Sequence, residues 1–138
     1  MTYITRRAYF NAAHRMYRDD WTKARNEEIF GKCANLNWHG HNYELFVTVK
    51  GEINETTVYP IDLNGLKAII HEQVVEKLDH KNLNLDVDFL QGKMATTEIL
   101  CIEIFKCLKE PIERHQGVFL HSVKLHETEN NAVEYFGE

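Results

Sequence analysis

Residues 33–43, Cys33-Ala34-Asn35-Leu36-Asn37-Trp38-His39-Gly40-His41-Asn42-Tyr43, place a lone thiol just upstream of two histidines that one metal ion can share. If His39 and His41 open a β-strand, the two-residue alternation of side chains sends both imidazoles to the same face. Gly40 between them lets backbone or ligand come close. Two histidines fall short of a catalytic zinc, which usually takes three protein ligands and keeps a fourth position for water or substrate. His14 is the candidate third ligand, because it closes an apolar stretch, Ala8-Tyr9-Phe10-Asn11-Ala12-Ala13, that reads as a strand delivering its last residue toward a site. Taken alone, these residues also fit a chance H-x-H pair on a solvated strand, with His14 a hydrogen-bonded edge residue. Cys33 has Lys32 beside it and histidines nearby, surroundings that favour its thiolate.

Composition bounds what such a site serves. The 138 residues make one ordinary domain, 1–138, long enough to bury a core without disulfides or structural metal, so a metal here would serve function. No linker, repeat or low-complexity run divides the chain. The amino terminus, Met1 to Arg7, lacks the apolar core of a signal peptide, and no apolar run approaches a membrane span, so a soluble, cytoplasmic protein is expected. Cys33, Cys101 and Cys107 are an odd set and read as reduced thiols, the last two as small apolar residues of a buried helix face. A net charge of −5 argues against nucleic acid as the main partner. Residues 1–41 hold seven Lys/Arg against four acids, a local +3 that leaves −8 for the remainder. That basic segment suits a phosphorylated small substrate, and equally an ordinary solvated loop.

The elements that must position these residues follow from hydrophobic period. Tyr3 to Ala13 and Asn42 to Lys50 read as strands, joined by a long polar connection that contains Cys33. Asp62 caps a helix whose Leu63, Leu66, Ile70, Val74 and Leu78 follow the helical period and which ends near Asp79-His80. Lys81 to Ala95 reads as irregular. Thr96 or Thr97 caps a second helix to about Lys109, stopped by Pro111. Gly117 to Glu127 and Ala132 to Phe136 close the chain as strands around a turn at Asn130-Asn131. The order strand, strand, helix, helix, strand, strand describes an α+β fold: an antiparallel four-stranded sheet with two helices on one face. Its open edges make association of sheets into a larger barrel a natural remedy.

Five blocks in this order resemble the 6-pyruvoyl-tetrahydropterin synthase and 6-carboxytetrahydropterin synthase family of zinc enzymes: Phe10-Asn11-Ala12-Ala13-His14-Arg15, Cys33 with His39-Gly40-His41-Asn42-Tyr43, Leu78-Asp79-His80-Lys81-Asn82-Leu83, Thr96-Thr97-Glu98, and His126-Glu127-Thr128. The resemblance implies the tunnelling fold, commonly a homohexamer made of two trimers with active sites between subunits. It implies Zn2+ held by His14, His39 and His41, Cys33 as the proton-abstracting base, and Asp79 with His80 completing a proton-transfer triad. Glu127 resembles the acid that anchors the pterin, and Thr96 and Thr97 match residues that help hold the ring. Each of these has a plainer reading: a Glu near a strand end is usually surface, and a histidine suits a helix C-terminus on dipole grounds alone.

By the same resemblance the activity is that of a phosphorus–oxygen lyase of tetrahydrobiopterin biosynthesis, converting 7,8-dihydroneopterin triphosphate to 6-pyruvoyl-tetrahydropterin with triphosphate elimination. The five residues between Cys33 and His39 resemble pyruvoyl-forming members, whereas many carboxy-forming members of the queuosine pathway have three. Some relatives that cleave the side chain as aldolases carry Glu in the middle of this spacer, where Leu36 stands here. The alternatives are the 6-carboxytetrahydropterin synthase reaction on the same substrate, and a noncatalytic pterin-binding zinc protein.

Overall fold

A computed structural model describes residues 1–138. Two long strands, β1 (Thr2–His14) and β2 (His39–Gly51), pair antiparallel in full register from Thr2 opposite Gly51 to His14 opposite His39. Both alternate buried and exposed residues, so one face is apolar and the other open. Because the alternation is strict, Phe10, Ala12 and His14 share a face in β1, while Tyr43, Leu45, Val47 and Val49 lie on the face of β2 that also carries His39 and His41. The polar connection between them is not structureless: it forms α1 (Lys23–Phe30), capped by Thr22, and a 3-10 turn over Gly31–Ala34. α1 buries only Asn26, so it lacks the apolar stripe that announces a helix in a sequence.

The Asp62 cap is present, its carboxylate accepting from the N–H of Asn64. From it run α2 (Leu63–Ile70), one wide π turn (His71–Val75) and α3 (Glu76–Leu78) without a break. Leu66, Ile70, Val74 and Leu78 are buried as their spacing requires, whereas Leu63, in the first turn, is 53% exposed. The stretch after α3 is more ordered than its sequence suggests. The chain turns at His80 (φ 60) and lays a two-residue strand, β3 (Lys81–Asn82), parallel to the free edge of β1, followed by a 3-10 turn at Asp88–Leu90. β3 makes the sheet five-stranded rather than four-stranded, in the order β3-β1-β2-β4-β5. It is too short and too polar to show an alternation, and backbone donors and acceptors on the edge of β1 hold it there.

Thr96 caps α4 (Thr97–Glu113) by accepting from the N–H of Ile99. The expected stop at Pro111 is not obeyed: the helix continues to Glu113 with Pro111 in its last turn. Ile112, wholly buried, holds that turn on the core, and Arg114 pairs with Glu110 across it. β4 (Val118–Thr128) and β5 (Asn131–Tyr135) close the sheet through a two-residue turn at 129–130, with Asn131 already inside β5. The helices cover the apolar face, and 25 buried residues form one core between sheet and helices. No helix is long and apolar enough to cross a membrane. Replacing Leu100, fully buried where α4 meets the sheet, by Ala should cost about 2–5 kcal/mol in urea unfolding, as lost transfer energy and a residual cavity; a cost under about 1 kcal/mol would contradict this packing.

Candidate active site

β1 and β2 end together, and their register sets His14 directly across from His39 with His41 two residues further along the same face. One ligand nitrogen from each of the three lies within 4.8 Å of the others. Their ring centroids are 4.6 Å (His14–His39), 5.1 Å (His14–His41) and 5.0 Å (His39–His41) apart. Gly40 is not there for space, since a Cβ would meet only the carbonyl of Ala12 at 3.6 Å, an ordinary contact.

His14 is 1% exposed, and its Nδ1 lies 2.6 Å from the carbonyl oxygen of Ala95. A carbonyl only accepts, so Nδ1 carries the proton and Nε2 keeps its lone pair. That Nε2 is buried and unpartnered, as are His39 Nδ1 and the hydroxyl of Tyr43; His41 Nε2 makes no hydrogen bond either, although Glu127 Oε1 approaches it to 3.2 Å. Unsatisfied buried polar atoms of this kind cost about 1–3 kcal/mol each. Several converging on one point fit a metal ion, which takes neutral imidazole nitrogens as ligands. Burial pushes the pKa of all three histidines below the ordinary value, and repulsion from neighbouring imidazoles adds to it. The cluster is therefore neutral at pH 7, with lone pairs free.

Tyr43 forms the floor. Its ring stacks on Phe10 and lies 5.6 Å from His41 and 6.2 Å from His14, and burial raises its hydroxyl pKa well above the ordinary tyrosine value. It reads in the sequence as a core strand residue, yet it continues the alternation of His39 and His41, and that is the signal that places it under the site.

Glu127 completes one side. The pairing of β4 with β5 shifts register between His126 and Thr128, so Glu127 sits at a bulge, a device that re-aims a side chain beside a site. Its carboxylate accepts a hydrogen bond from the hydroxyl of Thr97, the first residue of α4, and lies against His41. Thr96 makes no such contact, because its hydroxyl is committed to the helix cap.

Cys33 is half-buried in the 3-10 turn before β2, and its carbonyl accepts from the N–H of Met16 at 2.7 Å, which docks the turn two residues beyond His14. Asp79 and His80 stand elsewhere, on the outer edge of β1. Asp79 accepts the N–H of Asn11 at 2.8 Å and holds His80 Nδ1 at 2.8 Å; that backbone bond, then the bond to His80, keeps its carboxyl pKa below the ordinary range. The His80 side chain is 82% exposed. The structure thus gathers His14, His39, His41, Thr97 and Glu127, and forms the Asp79–His80 pair, but no hydrogen bond within the chain joins that pair to Cys33.

The five-stranded sheet with helices over one face is the tunnelling fold. The family model described as 6-pyruvoyl tetrahydropterin synthase matches residues 3–138. Among curated relatives, the 6-pyruvoyl tetrahydrobiopterin synthase of Dictyostelium discoideum is 44% identical over 139 residues, covering 98% of this chain and 96% of its own. That of Homo sapiens is 42% identical over 135 residues, covering 98% and 91%. The solved Caenorhabditis elegans 6-pyruvoyl tetrahydropterin synthase superposes with a TM-score of 0.91 at 36% identity, over 99% of this chain and 96% of the other. The chain belongs to the 6-pyruvoyl tetrahydropterin synthase family and is a lyase.

Burial of neutral histidines has a pH consequence. Between their lowered folded pKa and the ordinary value of about 6.5, the unfolded chain binds protons that the folded chain refuses, so stability rises with pH across that window. Metal-free protein should therefore show a falling urea midpoint as pH is taken from about 7 to about 5. A flat profile would contradict the buried neutral cluster.

Proposed function

We propose that this chain is a zinc-dependent 6-pyruvoyl-tetrahydropterin synthase that converts 7,8-dihydroneopterin triphosphate to 6-pyruvoyl-tetrahydropterin with elimination of triphosphate. The reading is carried by the convergence of His14, His39 and His41 beside a carboxylate that Thr97 holds in place, in a chain of this family. Held by the three imidazoles, zinc would supply Lewis acidity that eases loss of a carbon-bound proton from the substrate side chain.

Glu127 anchors the pterin. A carboxylate offers two acceptor oxygens, matching adjacent N–H donors of a 2-amino-4-oxo ring, and each oxygen has a second lone pair, so the bond from Thr97 does not exhaust it. Glu127 Oε1 lies 3.2 Å from His41 Nε2 without a hydrogen bond, so were His41 to hold a metal the carboxylate would be free for the ring. Thr97 binds through Glu127, and Thr96 contributes by fixing the start of the helix that carries Thr97.

Cys33 takes the carbon-bound proton. In the Asp79–His80 pair the carboxylate fixes the imidazole's tautomer and orientation, leaving Nε2 to accept or return a proton. His80 is exposed and the sheet has open edges. Both features support a homohexamer, a dimer of trimers, in which the pair from one subunit completes the site holding Cys33 of another. We take residues 1–138 as one pterin synthase-like domain acting in the cytoplasm, where its three free cysteines stay reduced.

Incubation with 7,8-dihydroneopterin triphosphate and mass spectrometry of the products tests the reading, because pyruvoyl and carboxy pterins differ in mass. The pyruvoyl product should dominate; a dominant carboxy product would assign the chain to the 6-carboxytetrahydropterin reaction instead, and no product would favour a noncatalytic pterin-binding zinc protein. Cys33→Ala should lower turnover by about 10²–10⁴ with metal and assembly retained. Unchanged turnover in that variant would remove Cys33 as the base.

A further inference from the structure

His14 and His39 face each other at the ends of paired strands, so the residues beyond them, Arg15 after His14 and Trp38 before His39, emerge side by side. The Arg15 guanidinium carbon Cζ lies over two rings, 4.3 Å from the centroid of Tyr17 and 4.6 Å from that of Trp38. Its backbone is clamped as well: its N–H donates to Asn84 Oδ1 at 3.1 Å, and Asn84 Nδ2 donates back to its carbonyl at 3.0 Å.

A ring packed over a guanidinium restrains it and leaves its N–H donors as the groups a ligand can engage. Nη1 is walled off with no hydrogen-bond partner, whereas Nε and Nη2, which also make no hydrogen bond, stay accessible. Arg15, Tyr17 and Trp38 border a cavity of about 550 Å³ with Asn84, Arg18 and Lys93, in which the one acid is Asp19. The other two cations are engaged, Arg18 with Asp20 at 2.9 Å and Lys93 with Glu103 at 2.8 Å. Arg15 forms no such pair. The same three residues border a second cavity of about 450 Å³ walled by the loop 34–37 that follows Cys33.

Trp38 holds a left-handed backbone, φ 66, where a bulky residue is a genuine outlier and where glycine would sit free of strain. Such strain persists where surroundings over-determine it and clusters at ligand clamps. Here it presents the indole to the guanidinium.

We propose that Arg15, packed against the rings of Tyr17 and Trp38, is the anion subsite that takes the phosphorylated tail of the substrate. The proposal rests on the pterin triphosphate reading above. A guanidinium fork matches phosphate oxygens bidentately, and pre-stacking removes the rotamer freedom it would lose on binding.

Equilibrium binding to the assembled protein, made with Cys33→Ala so that substrate is not consumed, compares 7,8-dihydroneopterin triphosphate with 7,8-dihydroneopterin, which lacks the phosphates. Arg15→Ala should weaken the triphosphate compound by about 10- to 100-fold, leave the unphosphorylated one unchanged, and abolish competition by inorganic tripolyphosphate. Arg15→Lys, which keeps the charge without the fork, should recover part of the loss. Equal weakening of both pterins would make Arg15 a purely structural residue and overturn the subsite, as would no weakening of either. If the Arg15-containing protein bound neither pterin, the functional reading itself would fall, and the subsite with it.

Discussion

The hydrogen bond from His14 Nδ1 to the carbonyl of Ala95 joins places 81 residues apart in the chain, and most of the site follows from it. It fixes the tautomer, so the proton sits on Nδ1 and the free lone pair on Nε2. It also ties the end of β1 to the residue before Thr96, whose cap starts α4 and thereby places Thr97 against Glu127. Two strand ends and a helix start are locked to one another through a single imidazole that is itself 1% exposed.

Around that bond the fold accepts local costs that a purely structural protein would avoid. Three neutral imidazoles crowd together with unpartnered nitrogens, and a tyrosine hydroxyl is buried beneath them without a partner. Trp38, His80 and Val58 hold left-handed backbone without being glycine. The first two stand beside His39 and Asp79, where such conflicts between local preference and fold are expected if the region is kept for binding and chemistry. Asp79 shows the economy of the arrangement: one carboxylate satisfies the edge of β1 at Asn11 and orients His80.

Much of this was legible in the sequence because it depends on period. Alternation in β1 and β2 put His14, His39 and His41 at the right strand ends, and the helical spacing of Leu66, Ile70, Val74 and Leu78 with the caps at Asp62 and Thr96 placed the covering helices. What had no period was not legible. α1 has no apolar stripe, β3 is two polar residues held by an edge, and the bulge at Glu127 is a matter of register between strands. Pro111 misled because a rule about missing N–H groups is local, whereas burial of Ile112 is tertiary. No hydrogen bond within the chain joins Cys33 to the Asp79–His80 pair, so neither period nor register announces a relation between them.

The central claim is that His14, His39 and His41 hold one zinc ion. Anomalous diffraction at the zinc edge, from crystals of protein purified without a histidine tag, tests it most directly. One peak per chain, about 2.0–2.1 Å from a nitrogen of each of the three histidines, is the predicted result. No peak there, or a metal bound through Cys33 or Glu127 in place of one of those imidazoles, would contradict it.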